Sequence, residues 1–156
     1  MKRIASTVVA LALVGLVALA ARAKEAPGDR EALQGTWKLV TIEKAGHPEE
    51  GTGDNERTLV FTGDHFQLLK GQDVVIDGTF KLDTSASPKA IDMKVEKANE
   101  KPDLADKTSL GIYELKGDEL KWCAGEPGLE TRPTAFSSEA QRTILAVFHR
   151  EAKDAK

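Results

Sequence analysis

Apolar and polar residues alternate along most of the chain after residue 35, and this pattern constrains the fold more than any other feature. Within the segment Asp73–Leu82, apolar side chains occupy alternate positions, and Asp77, Thr79 and Lys81 lie between them. Successive side chains of a β-strand point to opposite faces, so this alternation predicts strands with one apolar and one polar face. Because no segment has a convincing amphipathic helical pattern, we predict an all-β fold.

The predicted strands follow one another with mostly short connections, after a short helical turn over Asp29–Gln34. Eight segments carry the pattern: Thr36–Lys44, Arg57–Thr62, His65–Lys70, Asp73–Leu82, Pro88–Lys97, Thr108–Leu115, Glu119–Ala124 and Arg142–Arg150. Gly63-Asp64 and Lys116-Gly117-Asp118 lie between neighbouring strands and predict tight hairpin turns. Sequential antiparallel strands in this number indicate an up-and-down barrel or a sandwich.

Two features favour the barrel over the sandwich. Gly78 falls on the apolar face of its strand, where a strand often bends or bulges so that a sheet can curl. The last strand, Arg142–Arg150, is apolar on both faces, which fits the closing seam of a barrel with a segment packed outside it. We expect the three longer connections, Ala45–Glu56, Ala98–Lys107 and Gly125–Gln141, to be loops.

The first 23 residues have the pattern of a secretory signal peptide. Lys2 and Arg3 precede an apolar run over Ile4–Ala21, and Ala21-Arg22-Ala23 presents small residues where a signal peptidase cleaves. The run is rich in Ala and Gly and is slightly short for a membrane-spanning helix, so cleavage is favoured over an anchor. We therefore predict an exported protein, periplasmic or secreted, with no membrane anchor after cleavage and a single domain over residues 24–156.

Charge and cysteine content narrow the class of protein. The leader holds three of the 22 Lys and Arg residues and none of the 25 Asp and Glu residues, so residues 24–156 would carry a net charge of −6. An acidic domain argues against nucleic acid and anionic membrane surfaces as partners, since both select for basic patches. Cys123 is the only cysteine. An internal disulfide is therefore impossible, and a hydrophobic core must hold the fold.

The predicted sheet begins with Gly35-Thr36-Trp37 and ends with Arg150, and this arrangement resembles that of the lipocalins. In lipocalins the tryptophan closes one end of an eight-stranded barrel, and a basic residue of the last strand packs across its ring by cation–π attraction. The resemblance implies that Gly35, Trp37 and Arg150 form the barrel closure. The chain departs from lipocalins in lacking their Thr-Asp-Tyr segment and their disulfide.

A closer resemblance covers nearly all of residues 24–156. The segments that carry it are Leu33–Val40, Ser87–Met93, Gly111–Leu120, Cys123 and Arg132–Phe136. Together they resemble a family of small secreted proteins that is abundant in planctomycetes and is known as a domain of unknown function. The resemblance implies export and a lipocalin-like barrel, and it carries no enzymatic activity with it.

Candidate catalytic and metal-binding residues are sparse. His47, His65 and His149 are far apart, and Cys123 has no CxxC partner, so a zinc site would have to assemble from distant strands. We therefore predict no metal site and no cofactor, with the histidines at the surface or rim. The chain has no Gly-x-Ser-x-Gly elbow. A Cys123–His149 catalytic pair would need adjoining strands, and a Cys123 packed under a loop is the favoured interpretation.

Three hypotheses for function remain. The leading one is a non-enzymatic exported barrel that binds a small, largely apolar molecule. An envelope module with a filled barrel, acting in structure or in protein interaction, is the alternative, with no protein partner indicated. An enzyme that uses Cys123, His149 or His65 is the least favoured. Eight strands enclose an interior that side chains can fill or that holds one small ligand, and the sequence leaves this open.

Six residues are the candidates for the barrel interior and a ligand: Phe61, Phe66, Phe80, Tyr113, Trp122 and Arg132. The aromatic candidates are expected to fill the barrel or line a cavity. Arg132, held by Pro133 in a long loop, would either pair with an acidic ligand at the barrel mouth or tie its loop to a carboxylate such as Asp92 or Glu114. The tie is the favoured role.

Overall fold

The computed structural model describes residues 28–152, and the predicted signal peptide over residues 1–23 lies outside this range. The described part contains one short helix, two single 3₁₀ turns and nine strands. These are α1 (Asp29–Leu33), β1 (Gly35–Lys44), β2 (His47–Glu50), a 3₁₀ turn (Gly53–Asn55), β3 (Thr58–Thr62), β4 (His65–Lys70), β5 (Asp73–Asp83), β6 (Ala90–Ala98), a second 3₁₀ turn (Pro102–Leu104), β7 (Thr108–Lys116), β8 (Glu119–Gly125) and β9 (Thr143–Arg150). No helix among the described residues is long and apolar enough to cross a membrane.

The strands form one antiparallel sheet that closes on itself. From β3 to β9 each strand pairs with the next, and β1 pairs with β3 on one edge and with β9 on the other. On the edge of β1 that faces away from β9, Gly35–Lys38 pair with β3 and Thr41–Lys44 pair with β2. β2 and β3 are thus one interrupted strand. The fold is an eight-stranded up-and-down barrel, which confirms the prediction and excludes the sandwich.

The alternation pattern missed one strand. β2 lies inside the segment Ala45–Glu56, which was expected to be a loop, and its four residues are all exposed. A strand with no apolar face has no period-two signal, so only pairing with β1 reveals it. The predicted segment Arg57–Thr62 corresponds to β3, which begins at Thr58.

One end of the barrel, called here the closed end, is covered by α1. Trp37 is fully buried there, and its indole Nε1 donates a hydrogen bond of 2.8 Å to the Leu33 carbonyl. The Arg150 guanidinium lies 4.1 Å from the centre of the Trp37 ring, and its Nη1 donates to the Gln34 carbonyl at 2.7 Å. Gly35 has a φ of +114°, which favours glycine, and a Cβ there would lie 3.5 Å from Arg150 Nη1. These contacts therefore hold α1, β1 and β9 together at the closed end.

A second contact attaches α1 to the closed end through Asp29. Tyr113 donates its hydroxyl hydrogen to Asp29 Oδ2 at 2.7 Å, and Lys89 Nζ lies 2.7 Å from the same oxygen. Burial alone would raise the pKa of Asp29, but the hydrogen bonds from Lys89 and Tyr113 outweigh it and hold the pKa below 3.8. Burial and the neighbouring carboxylate raise the pKa of Tyr113. Asp29 is therefore ionised and Tyr113 neutral at pH 7.

Asp29→Asn should lower the free energy of unfolding at pH 7 by about 1 kcal/mol, because it removes a charge-assisted bond. A carboxylate whose pKa is lower in the folded state than in the unfolded state stabilises the fold at pH values above its unfolded-state pKa. This contribution is lost as the pH falls through its folded-state pKa. The difference between the two proteins should therefore shrink from pH 7 to about pH 3. Urea unfolding across this range measures it. A difference that stays constant with pH would contradict the ion pair.

The pairing of β5 with β6 contains a bulge. Asp77 pairs with Lys97, but the next residue, Gly78, pairs with Val95, so Glu96 is an extra residue on β6. A Cβ on Gly78 would lie 1.9 Å from the Lys94 carbonyl oxygen. The close approach of the two backbones therefore requires glycine. The expected irregularity occurs at Gly78, but the extra residue lies on β6 and not on the strand of Gly78.

Candidate functional site

The half of the barrel remote from α1 contains a cavity of about 500 Å³. Small-molecule sites in proteins typically measure about 300–1,000 Å³, so the volume suits one small ligand. Six apolar side chains on β3–β9 form much of its wall: Leu59, Phe66, Ile76, Met93, Trp122 and Ile144. We call this space the barrel cavity.

The barrel cavity exists because the two halves of the interior carry side chains of different size. Near α1, the Phe61 and Phe80 rings meet edge to face with centres 4.9 Å apart, and Arg30 of α1 lies 5.0 Å from the Phe80 ring. Farther from α1, Ser109 and Ala124 contribute little side-chain volume to the lining. The side chains thus fill the closed half and leave the other half open.

The mouth of the barrel cavity is charged. Three cationic and two acidic side chains contribute to the lining: Lys44, Lys101, Arg142, Glu126 and Glu139. Arg142 Nε lies 2.7 Å from Glu126 Oε2, and this hydrogen bond holds the pKa of Glu126 below its usual value. A ligand that enters the apolar interior must therefore pass a rim where charged groups remain in water.

The structure brings two of the six candidate ligand residues to the barrel cavity, Phe66 and Trp122. Phe61, Phe80 and Tyr113 are buried in the closed half, so they support the wall without lining it. The alternation of a strand assigns a side chain to the inner face, but it does not give the height along the barrel. The aliphatic and small lining residues, such as Leu59 and Met93, were missed because the candidates from the sequence were aromatic residues and Arg132.

Arg132 requires a correction, because it lies outside the barrel. Its Nη1 donates to the Gly111 carbonyl at 2.7 Å and lies 2.7 Å from Asp92 Oδ1. Arg132 therefore ties the segment between β8 and β9 to the outer wall, which is the role that the sequence favoured. Its assignment to the barrel interior is wrong.

Cys123 also lies on the outer wall. Its Sγ is 3.4 Å from the Ser137 carbonyl and 3.6 Å from the Ala135 carbonyl, and the thiol is fully buried. Burial raises the pKa of the Cys123 thiol, so it is not activated as a nucleophile. The prediction of a small residue packed under a loop is confirmed.

The catalytic constellation considered from the sequence is not formed by the described residues. Cys123 pairs with Leu145 across the β8–β9 ladder, and His149 pairs with Glu119, which lies four residues away from Cys123 along β8. Four residues of a strand span about 13 Å, so the thiol and the imidazole cannot act on one atom. His65 lies on β4, which does not pair with either strand.

Neither protein-family models nor the curated proteins give a match to this chain. The fold and the cavity define its class by geometry. It is a closed antiparallel eight-stranded barrel, packed at the end that α1 covers and hollow toward the other. The resemblance to the planctomycete family of secreted proteins stays a prediction from the sequence.

Proposed function

We propose that this protein is an exported, non-enzymatic barrel that binds one small, largely apolar molecule in the barrel cavity. The observation that carries the proposal is the hollow half of the barrel, with about 500 Å³ behind an apolar wall. Burial of apolar ligand surface against such a wall releases about 25 cal/mol per Å², which is the main source of affinity for molecules of this kind. The module with a filled barrel is less favoured, because side chains fill only the half next to α1.

The shape of the cavity indicates where the ligand's polar group would lie. The deep wall offers Leu59, Phe66 and Met93, all of which are buried, whereas the mouth carries Lys44 and Lys101 in exposed positions. A molecule with an apolar body would place that body against the deep wall and any polar end at the charged mouth. The best ligands for a binding test are therefore apolar molecules of modest size.

Binding of the neutral fluorescent compound N-phenyl-1-naphthylamine tests the proposal. We expect one molecule to bind per chain with a Kd of about 10 μM, together with quenching of Trp122, which lines the cavity. Ala124→Phe should weaken binding by at least about tenfold, because the added ring occupies the cavity. Ala124 is buried in the lining.

Ala135→Phe is the matched control, since the same change falls on an exposed residue of the outer loop and should leave the Kd unchanged. Equal binding by Ala124→Phe and the unchanged protein, or the absence of saturable binding, would contradict the proposal. Native mass spectrometry of protein recovered from the periplasm or medium of an expressing bacterium then identifies any molecule that co-purifies. Protein found only in the cytoplasm would contradict export.

A further inference from the structure

The outer wall of the barrel carries a cluster of three side chains with metal-binding atoms. His65 on β4, Asp77 on β5 and Glu96 on β6 place one potential ligand atom each within 4.8 Å of the others. The three residues are far apart in the sequence, and they meet because their strands are neighbours in the sheet. The cluster lies on the face opposite the barrel cavity and is independent of ligand binding there.

The register between β5 and β6 places the two carboxylates of this cluster side by side. The register that pairs Gly78 with Val95 would place Glu96 opposite Asp77, and the bulge lets Lys97 pair with Asp77 as well. The register therefore places a second carboxylate, that of Glu96, next to Asp77.

The charges of this pair are poorly compensated by the described residues. Within residues 28–152, no cationic nitrogen lies within 4.0 Å of Asp77 or Glu96, and Asp77 accepts only a neutral hydrogen bond of 3.1 Å from Gln67 Nε2. Lys97 is the cross-strand neighbour of Asp77, yet its ammonium is not in contact with either carboxylate. Two adjacent carboxylates and an imidazole that have no cation between them favour the binding of a cation at this position.

We infer that His65, Asp77 and Glu96 form a surface site for a divalent transition-metal ion such as Zn²⁺. One imidazole nitrogen and two carboxylate oxygens are ligands that Zn²⁺ accepts, with water in the fourth position. Around an ion with bonds of about 2.0–2.2 Å, ligand atoms lie about 3.5 Å apart. The ligand atoms of the exposed side chains of His65 and Glu96 therefore need to move about 1 Å closer to the other ligand atoms when the ion binds. His65 and Asp77 also line a surface depression of about 330 Å³, which has room for the water ligand.

The donor set also sets the selectivity of the site. Mg²⁺ and Ca²⁺ are hard cations that take oxygen ligands and require more of them than two carboxylates supply. The imidazole of His65 therefore favours Zn²⁺ over both. The site should bind a transition metal in the presence of an excess of Mg²⁺.

Titration of Zn²⁺ into the full chain, purified without a histidine tag, tests the inference by calorimetry and by NMR of the imidazole nitrogens. We expect one Zn²⁺ per chain and a shift of the His65 signals. His65→Gln and Glu96→Gln should each weaken binding by at least about tenfold, since even the loss of a group that only supports a ligand costs this much. Both side chains are exposed, so the variants should keep the thermal unfolding temperature of the unchanged protein.

His149→Gln is the matched control. His149 is also exposed on a strand, but the one carboxylate of the described residues within 4.0 Å of its Nε2 is that of Glu119, whose Oε2 lies at 3.5 Å. Zn²⁺ affinity that is unchanged in His149→Gln and reduced in His65→Gln supports the site. No Zn²⁺ binding, equal losses in both histidine variants, or full displacement of Zn²⁺ by a small excess of Mg²⁺ would overturn it.

Discussion

Replacing Trp37 by Ala will lower the free energy of unfolding by about 3–5 kcal/mol. The indole is fully buried in the main core cluster, so the change leaves a large cavity at the closed end. It also removes the hydrogen bond to the Leu33 carbonyl and the ring on which the Arg150 guanidinium lies. Urea unfolding followed by circular dichroism measures the loss.

Trp122→Ala serves as the control for the loss of an indole. Trp122 lines a space that is already open, and its Nε1 has no hydrogen-bond partner among the described residues. We therefore expect a smaller loss than for Trp37→Ala, because less packing and no hydrogen bond disappear. A near-neutral result for Trp37→Ala, or a larger loss for Trp122→Ala, would show that Trp37 does not close the barrel.

The alternation of side chains predicted the all-β fold, and Gly78 and the last strand, which is apolar on both faces, favoured the barrel over the sandwich. Each barrel strand with an apolar face appeared as a period-two segment, and the two-sided final strand indicated the seam between β9 and β1. β2 was missed because a strand of four exposed residues has no apolar face. Strand patterns therefore identify what packs on the core, and they do not identify strands that only extend an edge.

The candidate sites depend on information that alternation does not contain. Phe66 and Phe80 are both inward on neighbouring strands, yet only Phe66 lines the barrel cavity. The difference is one of height, which follows from the register between strands and from the tilt that closes the barrel. A sequence pattern gives the face of each residue but not its level in the barrel.

The outer metal site was predicted to be absent because the three histidines are isolated in the sequence. The structure gives His65 two carboxylates from two different strands, Asp77 on β5 and Glu96 on β6. Spacing rules detect ligands that share one element, such as two histidines on a helix. They cannot detect ligands that a sheet register brings together, and this is why the cluster emerges only from the fold.

Gly78→Ala will lower the free energy of unfolding by about 3 kcal/mol. In an ordinary strand, Ala is more stable than Gly by about 0.5–1 kcal/mol, so the sign of the change separates the two situations. Here the new Cβ would lie 1.9 Å from the Lys94 carbonyl oxygen, and backbone cannot move aside as a flexible side chain can. β5 and β6 must therefore separate locally or lose the bulge. At Gly28 an added Cβ meets no described residue within 4 Å, so Gly28→Ala should change the free energy of unfolding by less than about 1 kcal/mol. A stabilising effect of Gly78→Ala would show that the bulge does not need glycine.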